Sequence, residues 1–105
     1  MRALIALAAL AGAAASAAPP PARPVPVIAM AAMHFGAAPA GLRAGDSIVF
    51  VNRDIVAHTA TARDHSFDAV VQPRQSVRVT LRRAGAIAFY CRFHPTMQGV
   101  LNVGR

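Results

Sequence analysis

The sequence predicts an all-β domain, an antiparallel sandwich or barrel of about seven to eight short strands. Three observations lead there. Beyond the N-terminal region, apolar residues recur at every second position and not at helical spacing. Turn residues interrupt these runs roughly every 8–12 residues. No segment carries the apolar stripe of an amphipathic helix. With 105 residues, the chain has room for one domain.

Taken in order, the chain opens on "MRALIALAALAGAAASAA", with one Arg, an uncharged apolar run and a small-residue end. This is the layout of a secretory signal peptide. The run from Ala3 to Ala15 is 13 residues long, short of the ~20 a membrane span needs. Ala15-Ser16-Ala17 fits the small-x-small cleavage rule, so residues 1–17 are expected to be removed. The product would be periplasmic or secreted, with no stable membrane insertion. Residues 18–26 follow as an extended linker, because Ala17 to Pro26 holds five prolines. Residues 27–105 form the domain.

The first strand is expected within Val25 to Met33, and "FGAAPAG" is a loop. Gly45-Asp46 turns the chain into "SIVFVN", Ser47 to Asn52. "VAHTAT", Val56 to Thr61, is rich in β-branched residues. Arg63 to Gln75 is polar and broken by Pro73, and reads as a loop. In "SVRVTLR", Val77, Val79 and Leu81 share one face, and Arg78, Thr80 and Arg82 the other. "AIAFYC" and "GVLNV" complete the set. In "AIAFYC", Ile87, Phe89 and Cys91 share the apolar face, which buries Cys91. In "VAHTAT", Val56, His58 and Ala60 share a face, which turns His58 toward the same interior.

The formal charge is +7, and all eleven basic residues are Arg. An exported chain rarely meets nucleic acid, so this excess suits an acidic partner, or simply a solvated basic surface. A single Cys cannot form an internal disulfide, and an odd thiol in an oxidising compartment needs another explanation. Cys91, His94 and Met97 fall at even spacing in "YCRFHPTMQG". With His58 they offer sulfur, nitrogen, sulfur and nitrogen donors. Thiolate and thioether select soft metals, and two His, one Cys and a weak Met form an electron-transfer copper set. Zinc prefers four firm ligands, and a thioether is a poor one. Singly, each residue has a plainer role: a small buried hydrophobe, a core-filling Met, a hydrogen-bonded core His. In this order and on these faces, the metal reading is favoured. His34 and His65 have no partner at ligand spacing and read as surface or structural residues.

The segments "AGDSIVFVNRDIVAHTAT" and "AGAIAFYCRFHPTMQGVLNV" resemble the cupredoxins, small type 1 blue copper proteins, and most of all their amicyanin- and plastocyanin-like members. The resemblance spans Ile28 to Val103. It implies a Greek-key sandwich holding one copper ion, Cu(I)/Cu(II), at one end through His58, Cys91, His94 and Met97. It implies single-electron transfer through the edge of His94, within an apolar patch of Met33, Val56, Ala57 and Pro95. Around the ligands it places Asn52, Thr59, Pro95 and Thr96. Related proteins often carry Asn where Thr59 stands; the shorter Thr is expected to reach the ligand loop, with Thr96 as its partner. Pro95 has no N–H to offer the Cys91 sulfur.

The partner is expected to be an acidic redox protein, a cytochrome or dehydrogenase, met by a monomer. An enzyme is not expected. The chain lacks His-x-His pairs and a second Cys, Glu is absent, and its four Asp are scattered. The alternative is a copper-binding protein for storage or delivery, using the same ligands.

Overall fold

The computed structural model describes residues 3–4 and 24–105; the expected signal peptide and most of the linker lie outside them. Nine short strands form among the described residues, and no helix. They are β1 (Val27–Ala31), β2 (His34–Phe35), β3 (Leu42–Arg43), β4 (Ser47–Asn52), β5 (His58–Ala62), β6 (Asp68–Val71), β7 (Ser76–Thr80), β8 (Gly85–Tyr90) and β9 (Gln98–Gly104). One sheet has the order β2-β1-β4-β7 and the other β3-β9-β8-β5-β6.

The expected sandwich is present, with differences. Both sheets are mixed: β1 runs parallel to β4, and β3 parallel to β9. The stretch Arg63 to Gln75 is not all loop, because Asp68–Val71 pairs with β5 as an edge strand. Its four residues are too few for alternation to stand out in a polar stretch. β2 and β3 are two residues each and are set by pairing alone.

Alternation decides what is buried. β4 presents Ile48, Phe50 and Asn52 inward, and all three are fully buried. Ile87, Phe89, Leu101 and Val103 on β8 and β9, with Leu81 just after β7, close the core. Phe89 sits at its centre, with its ring centroid 4.7 Å from Phe35 and 5.7 Å from Phe50, both edge-on. Such contacts add to the area these rings bury. Opposite Phe89 in the β8–β9 register stands Gly99. A Cβ there would overlap the Phe89 ring, so the ring occupies space the glycine leaves.

The antiparallel pairings collect four connections at one end of the sandwich. These are the β1–β2 turn, the β4–β5 loop, the β6–β7 turn and the β8–β9 loop. Every predicted ligand lies in or next to that group.

Gly99→Ala should destabilise the domain by about 1–3 kcal/mol, because the Phe89 ring must move into a packed cluster. Denaturant unfolding would measure this, with Gly104→Ala, which meets no such overlap, staying near wild type.

Candidate metal centre

His58 is the first residue of β5, and Cys91 directly follows the last residue of β8. Both are fully buried, as alternation predicts. His58 Nδ1 lies 3.8 Å from Cys91 Sγ. The other ring nitrogen, Nε2, donates to Asp54 Oδ2 at 2.7 Å. A carboxylate only accepts, so Nε2 carries a proton, and in the neutral ring Nδ1 then presents its lone pair toward the sulfur. The bond also acts on Asp54: the His58 ring, and then the Met33 amide, hold its carboxyl below the usual carboxylate range.

Asp54 was not singled out in the sequence. Its signal was available in principle, as a carboxylate four residues before a buried His. It also accepts from Ala32 N at 2.8 Å and Met33 N at 3.1 Å. Ala32 and Met33 form the two-residue β1–β2 turn, with φ of 50° and 64°. Positive φ at both positions defines the hairpin turn that favours Asn-Gly, and non-glycine residues there are strained. Asp54 satisfies both amides of this turn and thereby ties it to the His58 ring.

Asn52 holds the loop in between. Its side-chain amide donates to Val56 O at 2.8 Å and to Val71 O at 2.9 Å. Its carbonyl accepts from Asp54 N at 2.9 Å. One fully buried side chain thus shapes residues 53–57 and bridges the two sheets. The sequence marked Asn52 as a neighbour of the site.

The β8–β9 loop folds back on itself. Cys91 N donates to Met97 O at 3.0 Å, Met97 N to His94 O at 2.8 Å, and His94 N to Cys91 O at 3.3 Å. These bonds draw the three predicted ligands of the row into one tight turn. Met97 is buried and His94 half-buried. The His94 ring packs edge-on against His58, with centroids 5.2 Å apart. Pro95 and Thr96 are exposed.

The expected link between Thr59 and Thr96 is not the one that forms. Thr59 Oγ1 accepts from Arg92 N at 2.8 Å and lies 2.9 Å from Thr61 Oγ1. The Thr side chain is too short to cross the loop, and Arg92 stands next to it in the β5–β8 register. Thr59 N donates to Cys91 Sγ at 3.3 Å, so the sulfur takes an amide from β5 where Pro95 offers none.

The predicted patch residues gather at this end. Met33, Val56 and Pro95 are exposed and Ala57 is half-buried. Two exposed apolar side chains of the same loops were not named from the sequence, Ile55 at 81 % and Phe93 at 48 %. Alternation cannot find them, because both sit in loops. His34 and His65 are exposed, as expected.

An ion bound at ~2.0–2.1 Å to nitrogen and ~2.3 Å to sulfur, at trigonal to tetrahedral angles, separates those atoms by roughly 3.5–3.8 Å. The His58–Cys91 pair meets that spacing. Among the described residues, no three His, Cys, Asp or Glu side chains are drawn closely enough together to hold a metal ion by themselves. The set pair is His58 and Cys91, with His94 against His58, and the remaining donor is the Met97 thioether.

A family model for the cupredoxin-like domain matches residues 3–103. The chain belongs to the cupredoxin family. No curated protein sequence matches this cupredoxin. Among solved structures, it is similar to the Cu(I) form of a Met-to-Ala variant of amicyanin, at 22 % identity and a TM-score of 0.68. That match covers 78 % of this chain and 84 % of the other. It is also similar to an oxidised Pro-to-Ala variant of amicyanin, at 21 % identity and a TM-score of 0.66, covering 75 % of this chain and 81 % of the other. At these identities the likeness establishes the cupredoxin fold.

Asp54→Ala removes the acceptor from the His58 Nε2–H and from two strained amides. It should shift His58 toward the Nδ1–H tautomer, seen in ¹⁵N spectra of the metal-free protein, and cost about 1–3 kcal/mol in stability.

Proposed function

We propose that this cupredoxin is an exported mononuclear copper protein that carries single electrons between redox partners. The observation that supports it most is the buried His58 Nδ1 lone pair set 3.8 Å from Cys91 Sγ, its tautomer fixed by Asp54. His58, Cys91, His94 and Met97 would hold the ion, two nitrogens and a thiolate with a weak thioether, which suits copper better than zinc. When bound, copper would supply a one-electron Cu(I)/Cu(II) couple.

The chain's own residues would do the rest. Asp54 and Asn52 keep His58 from turning. The Thr59 amide stabilises negative charge on the Cys91 sulfur. The short turn from Cys91 to Met97 leaves little slack for the ligands to rearrange. Of the four ligands, His94 alone is not fully enclosed, which makes it the route for the electron. Met33, Ile55, Val56, Ala57, Phe93 and Pro95 surround that end with apolar surface, suited to a brief contact that excludes water. Such work calls for an electron carrier and not an enzyme.

The partner would be an acidic redox protein, a cytochrome or dehydrogenase, steered by the arginines and met by a monomer. Residues 1–17 would direct export to the periplasm or outside the cell, residues 18–26 would act as a linker, and residues 27–105 as the copper domain. The burial of His58, Cys91 and Met97 favours retention of the metal over its delivery to another protein.

The copper-loaded protein should show an intense thiolate-to-copper absorption band that disappears on reduction and returns on oxidation. Cys91→Ser should abolish it. A wild-type protein without the band, or one that surrenders copper readily to a competing chelating protein, would exclude the electron-carrier reading. Stopped-flow association with an acidic redox protein should slow as salt rises; rates independent of ionic strength would exclude arginine steering.

A further inference from the structure

Thr59 and Thr61 point to the outer side of β5, opposite His58 and Ala60, where a sandwich strand usually meets solvent. Both are nevertheless buried. Their hydroxyls lie 2.9 Å apart, and Thr61 Oγ1 donates to Asp68 Oδ1 on β6 at 2.7 Å. Arg92 closes the figure from both of its ends. Its backbone N–H donates to Thr59 Oγ1 at 2.8 Å, and its guanidinium Nε donates to the same Asp68 Oδ1 at 3.2 Å.

The direction of the chain is determined by chemistry. The Asp68 carboxylate only accepts, so it takes the one Thr61 hydroxyl proton. The Thr59–Thr61 bond must then be donated by Thr59. The Thr59 oxygen remains as acceptor for the Arg92 amide. Each hydroxyl accepts once and donates once, so the bonds polarise one another in a single sense.

The location gives this circuit its consequence. The β5–β8 register pairs Ala62 with Phe89 and Thr61 with Tyr90 and ends there. Continued, it would bring Thr59 opposite Arg92. At that position neither amide is given to a carbonyl across the ladder. The Thr59 amide goes to Cys91 Sγ, and the Arg92 amide goes to the Thr59 hydroxyl. Where the sulfur takes the place of a ladder partner, the circuit takes over the work of holding the strands together.

We infer that Thr61 and Asp68 are positioning residues: through Thr59 and Arg92 they fix the backbone on the C-terminal side of Cys91, and so the place of its sulfur. Their bearing on a copper site rests on the function proposed above; the circuit itself does not. Asp68 and Thr61 touch none of the four candidate ligands among the described hydrogen bonds, so their effect passes through Thr59 and Arg92.

The test compares Thr61→Val with wild type, with Thr61→Ser as rescue and Asp68→Asn as a second variant should the valine protein fail to fold. In the metal-free protein, amide hydrogen exchange at Arg92 should quicken roughly tenfold in Thr61→Val relative to the core amide of Ile87, and return toward wild type in Thr61→Ser. The Thr59 amide resonance, which reports the bond to Cys91 Sγ, should shift in the same variants. Arg92 and Ile87 accelerating together, or Arg92 unchanged, would overturn the inference. In the copper-loaded protein the thiolate-to-copper band should move in Thr61→Val and recover in Thr61→Ser; a band unmoved would overturn the link to the metal. If the wild-type protein shows no band at all, the copper reading fails, and the amide measurements still decide the circuit.

Discussion

The arrangement at the ligand end depends on the hydrogen bond from His58 Nε2 to Asp54. A fully buried imidazole must place both ring nitrogens, and an unmet donor in that setting costs roughly 1–3 kcal/mol. With the Nε2 proton given to a carboxylate, the neutral ring leaves Nδ1 free of a proton, and that nitrogen faces the Cys91 sulfur. Without the carboxylate, either nitrogen could carry the proton, and the spacing between ring and sulfur would lose its chemical meaning. Asp54 is itself held by two strained-turn amides and by the Asn52 carbonyl at its own N–H. One carboxylate therefore organises three chain segments around a single nitrogen.

The acidic residues as a group behave the same way. The chain has only four, against eleven arginines, and each accepts a hydrogen bond from its surroundings. Asp46 takes the Arg43 amide, Asp64 the Ser66 amide, and Asp54 and Asp68 serve the networks at the ligand end. Negative charge is spent inside local structure, while most arginines project outward. Two of the four also pair with arginines, Asp64 with Arg83 at 3.1 Å and Asp68 with Arg92 at 3.2 Å, so the positive field follows from the count.

Much of this was legible from residue order. Ser47–Asn52 is the strand the sequence predicts after the Gly45-Asp46 turn, and in the structure Ile48, Phe50 and Asn52 are its buried face. The inward turn of His58 and Cys91 followed from the same period of two. What escaped falls into two kinds. Strand β6 and the two-residue strands are fixed by their partners, and no local pattern announces them. Thr61 and Asp68 act through side-chain bonds that reach between strands, and spacing carries no trace of those, whereas Asp54 stands four residues before a buried His and could have been found. The Thr59–Thr96 expectation failed for the related reason that register, set by strands far apart in sequence, brings Arg92 to Thr59 first.

Irregularity is also distributed unevenly, and that distribution has a physical reading. The β4–β7 and β8–β9 ladders pair without interruption over five and six residue pairs. The β5–β8 ladder stops after two, where Cys91 begins the loop that carries the candidate ligands. At the same end three non-glycine residues, Ala32, Met33 and Arg74, sit at positive φ, and a buried Asn and a buried Thr do work that main-chain pairing does elsewhere. A regular sheet satisfies its amides with carbonyls and leaves no lone pair free for another task. To face a sulfur and an imidazole lone pair toward each other in a dry interior, the ladder has to break, and side chains have to take up the orphaned amides. Asn52, Asp54 and Thr59 are those side chains, with Thr61 and Asp68 supporting Thr59 from behind. Their concentration at one end is what a donor pair built into a β-sandwich requires.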